Sequence, residues 1–338
     1  MPRKHRRPRI RLSTLPLAFL LGLVAVVAVL FVTPLGRVGG DAGGDTAGLV
    51  VAESATPPES TAGAPAADSE PDGEAQPDDG TQSDDAQSDA ALEAAVSDAL
   101  DGTWSGELSV AVLDTADGRT AEVNGERAYV SASIAKVDIL AALLLQAQQE
   151  DRALTADEKA SASAMIRQSD NDAAFALWSA LGGAPALEAA NARLGLAETN
   201  PDTETWGLDT TTVGDQLRLL AALTAESSPL SAASRAYALG LMEAVAEDQA
   251  WGVSAAADPG QGAAGSEGPA LKNGWLPRNT TGLWVVNSIG RIVHDGHELL
   301  VAVLSDGHAS MAAGVTRVES AAEAAAETLV SMTAAPGE

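Results

Sequence analysis

A serine and a lysine stand three residues apart in the stretch Val130-Ser131-Ala132-Ser133-Ile134-Ala135-Lys136, and an apolar run from Val137 to Leu145 follows directly. In a helix, residues i and i+3 share a face. The Ser133 hydroxyl and the Lys136 ammonium would then lie side by side in the first turn, where free backbone N–H groups favour developing negative charge. A hydroxyl becomes a useful nucleophile when a base takes its proton, and a lysine held neutral can be that base. Alone, a Ser-x-x-Lys pair is equally well read as a helix cap beside a solvated lysine, so its meaning depends on what else the chain places near it.

Three features follow in order. Ser169-Asp170-Asn171 stands between one helical pattern and the next, Lys272-Asn273-Gly274 falls on a strand pattern, and Trp275 supplies a backbone N–H just after that glycine. From Ala91 onward the only lysines are Lys136, Lys159 and Lys272, so two of the three lie in these stretches. The matches therefore do not arise from lysine abundance. Together the stretches resemble the Ser-x-x-Lys, Ser-Asp-Asn and Lys-Thr-Gly set of class A β-lactamases and penicillin-binding proteins. The resemblance runs from Ala91 to the C-terminus and extends to the order of strands and helices.

The resemblance implies roles residue by residue. Ser133 would attack a carbonyl and become acylated, with Lys136 as the base, its pKa depressed by burial and a second cation. Lys272 would be that cation and would draw in a substrate carboxylate. Ser169 would relay the proton to the leaving nitrogen, and Asn171 would orient the substrate amide and Lys136. The backbone N–H groups of Ser133 and Trp275 would form an oxyanion hole. Gly274 would let its strand approach the substrate. Asn273 replaces the family's usual Thr or Ser and would offer its amide to a carboxylate.

A second departure concerns hydrolysis of the acyl-enzyme. Class A β-lactamases carry a loop glutamate that activates water. Here Asp209-Thr210-Thr211-Thr212 resembles the end of that loop, and Glu198 and Glu204 are the candidates for the glutamate. Neither sits in the Glu-x-x-x-Asn pattern, because Asp202 lies four residues after Glu198. The short interval from Ser133 to Ser169 implies a more open cleft.

The elements that must position these residues are legible from periodicity and turn residues. Helices are expected over Ala91 to Leu100, from Ser133 onward, and over Thr155 to Arg167, where Thr155 and Glu158 form a capping-box pattern. Others are expected over Asp172 to Leu181, Ala184 to Leu194, Thr211 to Ala225, Ser231 to Ala246 and Met311 to Met332. Strands are expected over Leu108 to Leu113, Thr120 to Val123, Ala270 to Trp275, Gly282 to Val293 and His297 to Leu304, with Asp117-Gly118 and Asp295-Gly296 in tight turns. Strands at both ends with helices between them give an α+β fold. An antiparallel sheet built from both ends of the domain packs with helices, and the middle forms an all-helical subdomain, a β-lactamase/transpeptidase-like arrangement.

The remainder of the 338 residues bears on location. Residues 1–11 are basic, and an apolar run from Leu15 to Val32 follows. Such a run of roughly 18 residues matches a bilayer core, and the basic flank predicts a cytoplasmic N-terminus. Residues 12–33 are expected to be a signal-anchor, making the protein single-pass in the cell membrane with an extracytoplasmic C-terminal domain. Secretion after signal cleavage is the alternative. Residues 34–90 are rich in Gly, Ala, Ser, Pro and acidic residues and read as a disordered acidic tether to a domain over 91–338. The net charge of −27 argues against nucleic acid as a partner, and the lack of cysteine excludes disulfides and thiolate chemistry.

No metal or cofactor is expected. His294, His297 and His308 are accounted for by a hairpin turn, and Gly260-Gln261-Gly262-Ala263-Ala264-Gly265 neither follows a strand nor opens a helix. The expected function is that of a monomeric, membrane-tethered serine hydrolase acting on a β-lactam or an acyl-D-Ala-D-Ala-like small substrate. β-Lactam hydrolysis is the leading activity. A D-Ala-D-Ala carboxypeptidase or penicillin-binding protein, and a catalytically degenerate sensing module, are the alternatives.

Overall fold

The structure, a computed structural model, describes residues 79–100, 106–260 and 268–333. The basic segment, the apolar run and most of the acidic stretch lie outside the described residues, as does the greater part of the Gly260–Gly265 pattern. Among the described residues no helix is long and apolar enough to cross a membrane.

Five antiparallel strands form the sheet: β1 (Glu107–Asp114), β2 (Thr120–Val123), β5 (Ala270–Pro277), β6 (Trp284–His294) and β7 (His297–His308), in the order β2-β1-β7-β6-β5. The sheet is assembled from both ends of the domain, as the sequence predicts. Its central strand shows why the pattern reads as a continuous apolar run. Leu300, Ala302 and Leu304 of β7 join a core shared with the helical region. Leu299, Val301 and Val303 point the other way, into a core closed by α1 (Asp79–Ala99) and α8 (Met311–Thr333). Alternate residues face opposite sides of a strand, so burial of both faces requires apolar residues throughout.

The helical region comprises α2 (Ala135–Gln149), α3 (Ala156–Arg167), α4 (Asn171–Leu181), α5 (Ala184–Leu194), α6 (Val213–Thr224) and α7 (Ala232–Glu243). Helix α2 is buried on nearly every side from Ala135 to Leu145, which is why its sequence lacks an amphipathic stripe. The capping box of α3 forms as expected, with Thr155 accepting from the Glu158 N–H and Glu158 accepting from the Thr155 N–H. Gly182 and Gly195 close α4 and α5 in the left-handed conformation.

Three expectations need correction. Helix α1 begins at Asp79 rather than Ala91, inside the stretch read as a tether. Ser88 is buried on the same face as Leu92 and Val96, and Asp89 accepts a hydrogen bond from the Glu122 N–H at 2.8 Å. Polar composition hid this extension, which Ser88 ties to the packed face. Second, the helix expected from Thr211 begins at Val213, with Thr212 as its cap. Thr210–Thr211 instead form a short strand, β4, which pairs with β3 (Tyr129–Val130), immediately before the nucleophile turn. Two-residue strands carry no periodicity. Third, the helix expected over Ser231 to Ala246 ends at Glu243, and residues 247–256, unassigned from sequence, form two 3-10 turns, Glu247–Gln249 and Gly252–Ala256.

Inside α2, Asp138 lies wholly buried, with Asn191 of α5 able to donate to it at 2.7 Å when its amide nitrogen faces the carboxylate. Burial first, then the nearby Asp209 and Asp215, push Asp138 up to about 8. Between the usual carboxylate range and that value the folded chain holds a proton that the unfolded chain does not, so stability falls as pH rises, by at most about 1.4 kcal/mol per pH unit. Asp138→Asn mimics the protonated acid and removes this dependence. Its melting temperature is expected to exceed that of the wild type by a margin that widens by several degrees between pH 5 and pH 8. Parallel melting curves for the two chains would contradict this.

Candidate active site

Ser133 is the middle residue of a 3-10 turn, Ala132–Ile134, that leads directly into α2. Lys136 follows in the first turn of α2, and its Nζ lies 3.0 Å from Ser133 Oγ. The amine also donates to the Ser169 carbonyl at 2.6 Å, to Ser169 Oγ at 2.9 Å and to Asn171 Oδ1 at 2.8 Å. Lys272 reaches the same hydroxyl from β5, Nζ to Ser169 Oγ at 3.0 Å, and also donates to its neighbour's carbonyl, Asn273 O, at 2.9 Å. Ser133, Lys136, Ser169, Asn171 and Lys272, spread over 140 positions of sequence, thus form one hydrogen-bonded cluster.

The lysines are buried, Lys136 at 0% and Lys272 at 1% exposure. Burial disfavours the charged amine and pulls Lys136 down to about 7, with Asp170 partly opposing the shift. Lys272 is pulled well below its usual value, by burial first and then by the charge of Lys136. Of the two causes expected, burial and a second cation, burial is the one that lowers Lys136. A neutral amine 3.0 Å from a serine hydroxyl can take its proton.

The backbone around the cluster is held in uncommon conformations. Ala132 and Ser169 both adopt positive φ, 50° and 55°. Such conformations cost of order 1–3 kcal/mol for residues with a side chain and persist where surrounding contacts fix them. The contacts are visible. Ala132 N–H donates to Gly207 O and Ser131 N–H to Asp209 O, at 3.0 and 2.8 Å. Asn287 of β6, fully buried, donates to the carbonyls of Val130 and Ser131 at 2.9 and 3.0 Å. Asp170 caps α4 through the Ala173 N–H at 2.7 Å, and so has a structural role.

Strand β5 closes the other side. A Cβ on Gly274 would lie 2.8 Å from both Ser131 O and Ser133 N and 2.9 Å from Ile134 N. Glycine here permits close approach to the nucleophile's own turn. It also brings the chain at Trp275 alongside the Ser133 amide. The same strand corrects the assignment of Asn273. Alternation places Asn273 and Trp275 on the face opposite Lys272 and Gly274. The Asn273 amide donates to Gln249 O and Trp251 O at 2.8 and 2.9 Å, so both of its N–H groups are committed to the 3-10 turns. The Trp275 ring meets Trp251 on that face, with centroids 5.8 Å apart. The contribution left to Trp275 in the cleft is its backbone.

Glu198 and Glu204 are exposed, and among the described residues neither bonds to the cluster. The Glu198 N–H is tied to Asp215 at 2.8 Å, and burial first, then Asp89 and more weakly Glu198 raise the pKa of Glu122 at the sheet edge. The loop residue that does reach Lys136 is Trp206, whose ring centre lies 4.6 Å from Nζ. Sequence reasoning missed Trp206 and Asn287. The polar pair Asn287-Ser288 inside the otherwise apolar run Val285–Ile289 was a usable signal for Asn287, whereas nothing periodic marks Trp206. Beyond Trp275, Leu208, Leu276, Pro277 and Arg278 line an open cavity of about 220 Å³.

Comparison with known proteins gives a consistent result. A family profile described as the β-lactamase enzyme family matches residues 91–161 and 159–329. No curated protein sequence matches the chain. Among solved structures, the TLA-1 extended-spectrum β-lactamase is 19% identical, with 72% of this chain and 99% of that chain covered and a TM-score of 0.63. A β-lactamase from Xanthomonas campestris pv. campestris is 21% identical, with 72% and 98% covered and a TM-score of 0.59. A PBP-A variant, solved as an acyl-enzyme complex with penicillin G, is 19% identical, with 72% and 97% covered and a TM-score of 0.59. These likenesses establish a shared fold.

The Gly274 contact yields a direct test. Gly274→Ala places a methyl group against backbone atoms that cannot swing aside. Overpacking of this kind costs about 1–3 kcal/mol, and here the displacement falls on Ser133. The variant is expected to melt several degrees lower and to acylate at least about tenfold more slowly. Wild-type acylation in this variant would contradict the close approach.

Proposed function

The chain belongs to the β-lactamase enzyme family of serine hydrolases, and from that premise we propose that it forms a covalent acyl-Ser133 intermediate with β-lactams or with acyl-D-Ala-D-Ala-like peptides. The observation that carries this reading is the 3.0 Å contact between Ser133 Oγ and an amine that burial holds near neutrality. Ser133 Oγ attacks the amide carbon while its proton passes to Lys136. Negative charge builds on the carbonyl oxygen, which the Ser133 and Trp275 N–H groups receive. As the carbon–nitrogen bond breaks, Ser169, bonded to both lysines, hands a proton to the leaving nitrogen. Asn171, whose Oδ1 is engaged by Lys136, presents its NH2 to the substrate amide. Lys272 donates to Ser169 from β5 and holds its hydroxyl between the two amines.

A specific observation favours slow release over rapid β-lactam hydrolysis. Among the described residues no carboxylate hydrogen-bonds Ser133, Lys136 or Ser169. Without a carboxylate to activate water, acylation outruns hydrolysis, which is the behaviour of a penicillin-binding protein. The peptidase reading therefore ranks with the lactamase reading for this chain. The apolar run Leu15 to Val32 behind a basic segment supports a membrane tether, with the domain on the extracytoplasmic side.

Intact mass of the full chain, followed over time after mixing with benzylpenicillin, tests the reading. One adduct of the full penicillin mass is expected, lasting minutes to hours, and Ser133→Ala should abolish it. An adduct that survives Ser133→Ala, or none on the wild type, would refute the assignment.

A further inference from the structure

Lys136 Nζ is enclosed by four oxygen atoms and by the indole of Trp206. The indole is half-buried, and the backbone on either side of it is held. Thr205 N–H donates to Asp202 Oδ1 at 3.1 Å on one side of it, and Gly207 N–H donates to Asp209 Oδ2 at 2.9 Å on the other. Gly207 O in turn accepts from Ala132, the residue before the nucleophile, at 3.0 Å. Trp206 also packs on the helical core. The ring thus lies over the amine on the same loop that fixes the Ser133 turn.

Resting on the acyl-Ser133 reading, we propose that Trp206 is a positioning residue that keeps Lys136 dry, so that the amine serves acylation but no water reaches it once Ser133 is acylated. In hydrolysis, a water oxygen bonds to the acyl carbon and the carbon–Oγ bond breaks. The water's proton must go to a base and then to Ser133 Oγ. Among the described residues the amine bonded to Ser133 Oγ is that of Lys136, and it has no exposed surface. A large aromatic ring with no proton-accepting group occupies the approach from the loop. The charge bearing on Lys136 is that of Asp170 at the start of α4, Lys136 in turn bears on Lys272 of β5, and the loop adds none that the cluster touches. Access of water, rather than a missing charge alone, therefore sets the lifetime of the acyl group.

Trp206→Ala tests the lid with two readouts on the full chain, and Trp206→Phe, which keeps a ring, controls for folding. The chain has four lysines, Lys4, Lys136, Lys159 and Lys272, so its ¹³C-lysine NMR titration is assignable. In Trp206→Ala, hydration should raise the Lys136 midpoint by about one pH unit or more. At pH 9, where the amine is largely neutral in both chains, decay of the penicillin adduct should accelerate about tenfold or more. Trp206→Phe should restore wild-type behaviour in both. An unmoved Lys136 midpoint, an unchanged decay rate, or a wild-type adduct that clears within seconds would overturn the proposal. Failure of the wild type to take up penicillin would instead refute the acyl-Ser133 reading, and the titration would still decide whether Trp206 keeps the amine dry.

Discussion

An amine without access to water is expensive to keep charged, and the rest of this site depends on that cost. Lys136 is fully buried, and burial draws its pKa down to about 7. Hydrogen bonds from Nζ to Ser169 and Asn171 then orient the side chain toward Ser133. A flexible, exposed lysine at the same sequence position would stay protonated and could not act as a base. The chemistry therefore comes from the packing around α2 rather than from the Ser-x-x-Lys spacing itself.

That packing is supplied by three walls that converge on one turn. Strand β5 presses against the backbone of Ser131 to Ile134 at Gly274, where a side chain would prevent contact. Asn287 on β6 holds the carbonyls of Val130 and Ser131 from below. The loop ending at Asp209 binds the N–H groups of Ser131 and Ala132, and Asp209 itself accepts from Asp202 and Gly207 inside that loop. These contacts hold Ala132 in its left-handed conformation and so aim Ser133 at Lys136. The short β3–β4 pairing ties the loop to the same turn. Rigid elements carry the reacting groups, and irregular backbone occurs where the groups must meet.

How much of this was legible in the sequence follows from what kind of signal each feature leaves. The sheet was readable because both faces of β7 are buried from Leu299 to Leu304 and those residues are apolar without interruption. The catalytic cluster was readable because lysine is scarce in this chain, so Lys136 and Lys272 stand out in their motifs. Asn273 was placed wrongly although the information was present: on a strand it cannot share a face with Lys272 and Gly274. The true start of α1 was hidden by polar residues that pack through small side chains such as Ser88. Trp206 left no trace, because a loop residue's reach is set by its turns and hydrogen bonds, and those are tertiary.

The most direct measurement of the central claim is the rate of Ser133 acylation by benzylpenicillin as a function of pH, taken in single turnover on the full chain. If Lys136 must be neutral to accept the serine proton, the rate rises with pH through a midpoint near 7 and then levels off. A rate that is flat from pH 5 to 9, or one that still climbs toward a midpoint near the ordinary lysine value of about 10.4, would contradict the account.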